Sequence, residues 1–206
     1  MTRIIAGHGR GAALAVPKSG TRPTSDRVRE AIFSALEAAD VLEGVEVLDL
    51  YAGTGALGLE ALSRGAASAT LVEKAPKAAA ILKRNAGEVE RAIRAAAPKR
   101  RARVRVETAS AQSVASTCAP GLGLVFIDPP YEAADAEVTA ILEAIAPKLE
   151  PWALVVLERS TRSGLPELPA SLALERTKAY GETAIHYLER ADRVREDESG
   201  AEASDS

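Results

Sequence analysis

The stretch VLDLYAGTGALGLE, residues 47–60, constrains the fold more than any other part of this chain. A short apolar run, 47–51, meets a glycine turn, 52–55, and a helix-like segment, 56–63, follows at once. Strand, tight turn and helix in that order make the ligand-binding corner of an open α/β sheet. Gly53, Gly55 and Gly58 formally match the spacing of a dinucleotide fingerprint. Asp49 points elsewhere. It lies near the carboxyl end of the strand, where such sheets bind ligands, and its charge would repel a pyrophosphate. The same charge suits a cation such as the sulfonium or ammonium of S-adenosylmethionine (SAM). The corner is read as a SAM pocket lined by Asp49, Tyr51, Gly53, Thr54 and Gly55, with a nicotinamide or flavin as the rival ligand.

The rest of the chain repeats the strand–helix alternation. Strands are expected at 68–73, 102–107, 122–128 and 152–158, with helices at 110–117 and 134–146. Another helix begins at Pro76 and turns Ala78, Leu82, Asn85, Val89 and Ile93 inward, and Lys99-Arg100-Arg101 lies in the loop after it. Two final strands, 172–178 and 183–189, flank a Tyr180-Gly181-Glu182 turn. The fold class is α/β and Rossmann-like: seven strands, mostly parallel, with a terminal antiparallel hairpin. Ahead of it, 2–6 and 12–16 read as a small hairpin, and Val28, Ala31, Ile32, Ala35 and Leu36 mark a helix face. Residues 1–43 are therefore an N-terminal extension, 44–190 the main domain, and 191–206 an unstructured acidic tail.

Composition narrows the class. Aromatics are 3% of 206 residues, so the core must be aliphatic. No apolar run reaches the ~18–20 residues of a membrane span, and the N-terminus lacks a continuous apolar signal segment. A single cysteine, Cys118, excludes an internal disulfide framework, and two histidines, His8 and His186, disfavour a histidine metal site. A cytoplasmic protein without a metal is expected. The formal charge of −3 conceals a division: without the five acids of residues 196–206 it becomes +2. Residues 1–36 carry six bases against two acids, a pattern that fits a polyanionic partner.

Two further features speak to chemistry. Glu73 ends the second strand of the repeat, 18 residues beyond Gly55, where an acid can accept both ribose hydroxyl protons of a nucleoside. Asp128-Pro129-Pro130-Tyr131 lies where the mostly apolar strand 122–128 ends. The two prolines stiffen the loop and remove two backbone donors. What remains are acceptors, the Asp128 carboxylate and the Pro129 carbonyl, which together can hold both hydrogens of an exocyclic amine. Tyr131 offers a face on which a base can stack. A base stacked within a duplex could not reach this loop, so the target must be unpaired or flipped out.

These motifs resemble the amino-methyltransferases among class I SAM enzymes. Arg3-Ile4-Ile5-Ala6-Gly7, Thr21-Arg22-Pro23-Thr24, Asp26-Arg27-Val28-Arg29-Glu30, residues 47–63, Glu73, Asp128–Tyr131 and Gly164-Leu165-Pro166 are similar to the bacterial 16S rRNA (guanine(966)-N(2))-methyltransferase family. The resemblance covers nearly the whole chain outside the tail. It implies SAM as methyl donor and 16S rRNA or a 30S assembly intermediate as partner. A monomer is expected. The resemblance also implies Asp128, Pro129 and Tyr131 as catalytic residues. Arg10, Arg22, Arg27 and Arg29 become an RNA-facing set, and Ser110-Ala111 falls where the family carries Asp or Asn before Ala, beside the adenine. The rivals are a DNA adenine-N6 methyltransferase, for which the chain leaves little room for a target-recognition domain, and a non-catalytic RNA-binding protein that keeps a SAM-like fold.

Overall fold

The computed structural model describes residues 2–16 and 25–193. Among the described residues, nine strands fall in two sheets. Thr2–Arg3 (β1) pairs antiparallel with Ala13–Leu14 (β2) in a small hairpin, apart from the main sheet as expected. Asp26–Ala38 (α1) follows, its N-terminus capped by Ser25, which accepts the Val28 N–H at 3.3 Å.

The main domain runs Glu46–Leu50 (β3), Ala56–Arg64 (α2), Ser68–Val72 (β4), Pro76–Ala96 (α3), Arg103–Glu107 (β5), Ala111–Thr117 (α4) and Leu122–Ile127 (β6). Asp135–Ile145 (α5), Leu149–Ser160 (β7), Leu172–Tyr180 (β8) and Thr183–Arg190 (β9) complete it. The strand order is β5-β4-β3-β6-β7-β9-β8. All neighbours from β5 to β7 are parallel, and β9 runs antiparallel to both β7 and β8. The direction of winding reverses between β3 and β6, which opens a crevice at their carboxyl ends.

Period-two alternation splits each central strand between two cores. Val47, Leu124, Phe126, Leu154 and Val156 pack with α1, α2 and α3 on one face. Leu48, Leu50, Val125, Ile127, Val155 and Leu157 pack with α4 and α5 on the other. Pro76 occupies the first turn of α3, where its missing N–H is no loss. The inner face of α3 carries Ala79, Leu82, Asn85, Ala86, Val89 and Ile93; Ala79 takes the place expected for Ala78. Arg100, expected in a surface loop, donates to the carbonyls of Leu62 and Ala66 at 2.9 Å each and so closes the C-terminal end of α2.

The extension is built into the first core through Ile4, Leu14, Val28, Ile32, Phe33 and Leu36. Its strands are shorter than expected because their backbone donors are claimed by side chains of the main domain. Ile5 and Ala6 donate to the Glu60 carboxylate at 2.7 and 2.9 Å, and Ala15 donates to Asn85 at 2.8 Å. Gly7 passes against α2 so closely that a Cβ there would lie 2.1 Å from the Ser63 carbonyl oxygen. Residues 191–193 form a helical turn beyond β9; the remainder of the expected tail lies outside the described residues. No helix among the described residues is long and apolar enough to cross a membrane.

Arg29, expected to face RNA, has no exposed surface. Its Nη2 donates to the Arg3 carbonyl at 2.7 Å and to Asp26 at 3.0 Å. Burial lowers its pKa, opposed by the nearby charges of Glu60 and Asp26. It belongs to the inner face of α1 with Ile32, Phe33 and Leu36, and its charge serves the join between extension and domain. Glu60 stands at that join, fully buried, and also receives the Arg64 Nε at 2.8 Å. Glu60→Ala strands two backbone donors and takes from the buried Arg64 one of its two carboxylate partners. It should lower unfolding stability by about 3–5 kcal/mol, read from urea denaturation midpoints at unchanged slope.

Candidate active site

The residues between β3 and α2 turn through a path that most side chains avoid. Tyr51 (φ 64°), Gly53 (φ 54°) and Gly55 (φ 81°) are all left-handed. A Cβ at Gly55 would lie 2.6 Å from Leu82 Cδ1 and 2.9 Å from Leu59 Cδ1, so the turn is also short of space. The Ala52 N–H is held by the Val72 carbonyl at 2.8 Å. Glu73, just past β4, braces the loop: its two carboxylate oxygens accept the Gly53 N–H at 3.2 Å and the Ala75 N–H at 2.7 Å. An ionised carboxylate offers about four lone-pair sites, so Glu73 keeps capacity for a ligand's hydroxyls.

Asp49 is buried, with 1% of its surface exposed, and its Oδ2 accepts the Gly58 N–H at 2.9 Å. The donor belongs to the first turn of α2, where backbone N–H groups otherwise lack partners. Gly58 is required by this approach and not by a ligand: a Cβ there would meet Leu71 Cδ2 at 2.3 Å and Asp49 Oδ2 at 3.0 Å. Burial pushes the Asp49 carboxyl up to about 7; the Gly58 hydrogen bond opposes this and the Glu73 charge adds to it.

A cleft of about 970 Å³ opens at the crevice. It gathers Asp49, Tyr51, Gly53, Thr54, Glu73, Ser110, Ala111, Asp128, Pro129 and Tyr131, which the sequence singled out from four separate stretches. Gly55 lies outside this lining and serves as the N-cap of α2. Tyr131 stands at the mouth with 58% of its surface exposed, open to stacking. Ser110 caps α4, accepting the Ser113 N–H at 3.2 Å, so its oxygen already has one partner. Arg10 and Arg27 are exposed on the extension; Arg22 lies outside the described residues.

Two side chains at the site, Arg159 and Glu137, were not singled out by sequence reasoning, and a third, Asn85, was expected only as an inward-facing residue of its helix. Arg159, at the end of β7 and 5% exposed, donates to the Ala133 carbonyl at 3.3 Å and pairs with Asp135. It thereby ties the segment that follows Tyr131 to the sheet. Glu137 of α5 accepts the Tyr51 hydroxyl at 2.8 Å across the cleft, and burial together with this bond raises the Tyr51 pKa. Asn85 reaches the turn from α3. An arginine ending WALVVLER and an acid in a helix's first turn carry no pattern that separates them from solvated charges.

A family model described as Conserved hypothetical protein 95 matches residues 2–189. The chain belongs to this family. Ribosomal RNA small subunit methyltransferase D of Escherichia coli is 38% identical over 189 residues, which span 91% of this chain and 89% of that protein. The Haemophilus influenzae protein of the same name is 36% identical over 157 residues, 76% of this chain and 77% of its own. A solved Escherichia coli structure described as a candidate methyltransferase matches with a TM-score of 0.73 at 36% identity, over 91% of this chain and 97% of that one. The family resemblance seen in the motifs and the Rossmann-like sheet of the family both hold.

The Asp49 carboxyl gives the site a pH signature. Its folded pKa of about 7 lies above the ordinary 3.8, so the folded state holds this proton more tightly than the unfolded chain. The ligand-free protein therefore loses stability as pH rises through that interval. Asp49→Asn cannot ionise and still accepts the Gly58 N–H. At about pH 8 the variant should melt roughly 2–4 °C above the parent, with a smaller gain at about pH 5, by differential scanning calorimetry without ligand.

Proposed function

We propose that this protein is a small-subunit rRNA methyltransferase that transfers the methyl group of SAM to the exocyclic N2 amine of a guanine in 16S rRNA. Guanine 966, the nucleotide implied by the family resemblance, is the expected target. The observation that carries this reading is the meeting, in one cleft, of the braced glycine turn and the Asp128–Tyr131 loop. One half suits a nucleoside and the other an amine.

The residues present fit SAM. Glu73 stands where ribose hydroxyls can be accepted, beside a turn whose glycines allow close backbone approach. The cleft lining holds six acids, Asp49, Glu73, Asp128, Glu132, Glu137 and Glu158, against Lys74 and Arg159. Such a cavity favours a cationic ligand and turns phosphate away. Its volume of about 970 Å³ is at the upper end for a single small ligand, which leaves space for a base beside the cofactor. When bound, SAM supplies an electrophilic methyl group on a sulfonium leaving group.

The protein's own contribution is positioning. The Asp128 carboxylate and the Pro129 carbonyl accept the two amine hydrogens and direct the nitrogen lone pair along the line of attack. Tyr131 stacks on the guanine at the mouth and holds its plane. The amine becomes appreciably acidic only as it is methylated, so no strong base precedes the transfer; Asp128 is placed to take the proton afterwards. Arg10 and Arg27 meet the RNA backbone outside the cleft. Arg159 keeps the Tyr131 segment against the sheet.

Labelled SAM offered with naked 16S rRNA, with 30S particles and with DNA should label only the RNA-containing samples, at guanine N2. Label in DNA adenine, or in none of the samples, would overturn the proposal. Asp128→Ala should lower kcat at least ~100-fold, the range of one lost transition-state contact, while calorimetry shows SAM binding within about twofold of the parent.

A further inference from the structure

We infer that Asn85 is a positioning residue that joins the N-terminal extension to the cofactor turn, so that RNA held by the extension and SAM held by the turn favour each other's binding. The inference rests on the reading of the cleft as a SAM and RNA site.

Asn85 sits in the middle of α3 with 1% of its surface exposed. A polar amide at such a helix position is costly unless its donors and acceptor are satisfied. All are, and by two different parts of the molecule. Its Oδ1 accepts the Ala15 N–H at 2.8 Å, and its Nδ2 donates to the Ala15 carbonyl at 3.0 Å. The side chain thus pairs with one residue of the extension as a neighbouring strand would. The second Nδ2 hydrogen goes to the Thr54 carbonyl at 2.9 Å, within the turn between Gly53 and Gly55. One planar amide therefore spans extension, helix and turn.

The amide is rigid, so these three bonds constrain one another. If Ala15 shifts, the amide rotates or departs, and Thr54 loses its donor. The Thr54 carbonyl orients the peptides on either side of it, and Thr54 itself lines the cleft. The extension does not depend on Asn85 for its attachment. Gly9 donates to Ser63 Oγ at 2.8 Å, His8 to the Ser63 carbonyl at 2.8 Å, and Ile5 and Ala6 to Glu60. Breaking the Asn85 bonds should leave the extension docked while separating its position from that of the turn. A groove of about 530 Å³ between residues 12–15 and α3 includes Asn85 in its lining, so water can reach an emptied site.

The coupling is reciprocal by linkage: whatever factor RNA adds to SAM affinity, SAM adds to RNA affinity. Asn85→Asp keeps the acceptor for Ala15 but sets a carboxylate against the carbonyls of Ala15 and Thr54. Asn85→Ala removes all three bonds and admits water, and serves if the first variant does not fold.

The test is isothermal calorimetry of SAM on the full chain, with and without a saturating 16S rRNA fragment, alongside initial rates. The parent should bind SAM alone, and about fivefold or more tightly with the RNA present. Either variant should bind SAM roughly tenfold more weakly at full stoichiometry, with the RNA enhancement lost. KM for SAM should rise while kcat stays within about twofold, because the Asp128–Tyr131 loop is untouched. A merely structural asparagine would lower the melting temperature or the active fraction and leave the SAM Kd and the RNA enhancement unchanged. That outcome, or a parent whose SAM affinity ignores RNA, overturns the inference. A parent that binds no SAM at all overturns the proposed function instead.

Discussion

The contact between Asp49 and the Gly58 N–H is the constraint on which the site depends. It draws α2 onto the end of β3, so close that residue 58 has no space for a Cβ. With both ends of the turn fixed, Tyr51, Gly53 and Gly55 adopt left-handed conformations to bridge them. The turn then lies over β4, where the Val72 carbonyl and the Glu73 carboxylate take the Ala52 and Gly53 donors. Under the proposed function, the residue that would meet the ribose is at the same time the brace of the glycine turn. Burial makes ionised Asp49 costly, and a cation entering the cleft would relieve part of that cost.

A second set of buried charges performs the corresponding task for the extension. Arg29, Glu60 and Arg64 lie between α1, the hairpin and α2, with the Arg64 guanidinium 4.9 Å over the Phe33 ring and paired with Glu37 at 2.7 Å. An apolar join of the same volume could be as stable. Ionic groups, however, demand particular partners: Glu60 accepts from two named backbone positions and one arginine, which sets the extension in a single register on the domain. Asn85 extends the same logic to the turn.

The strand–helix alternation, the separate hairpin, the antiparallel end and the assembly of the cleft were legible, because each follows from apolar period, glycine and proline placement. What escaped was the direction in which polar residues point. Arg29 shares three- and four-residue spacing with Ile32, Phe33 and Leu36, a buried signal that its charge and its basic neighbours obscured. Asp49 has the parity of Val47 and so faces α2, where its first partner is Gly58. The ends of the hairpin strands misled for a related reason. Whether the Ile5, Ala6 and Ala15 donors meet another strand or a side chain is decided by Glu60 and Asn85, more than fifty residues away. Arg159 acts through a carbonyl that exists as a partner only once β7 and the Tyr131 loop are side by side.

The charge of the folded protein is divided between the cleft and its surroundings, and under the proposed function this division selects what may enter. The cleft is lined by six acids and two bases, whereas Arg10 and Arg27 lie exposed on the extension. A polyanion held outside such a cavity can place only an uncharged part of itself within, and a base edge rich in N–H donors meets the acids on favourable terms. Guanine presents its N1–H and N2 amine side by side; adenine sets an acceptor beside its amine. Acceptors dominate where the prolines have removed donors, at Asp128 and Pro129, and again at Glu137, which Tyr51 holds across the cleft. Under the proposed function the electrostatics thus separate the two tasks of recognition: cations outside would bring the RNA, and acceptors inside would admit the base with the right edge.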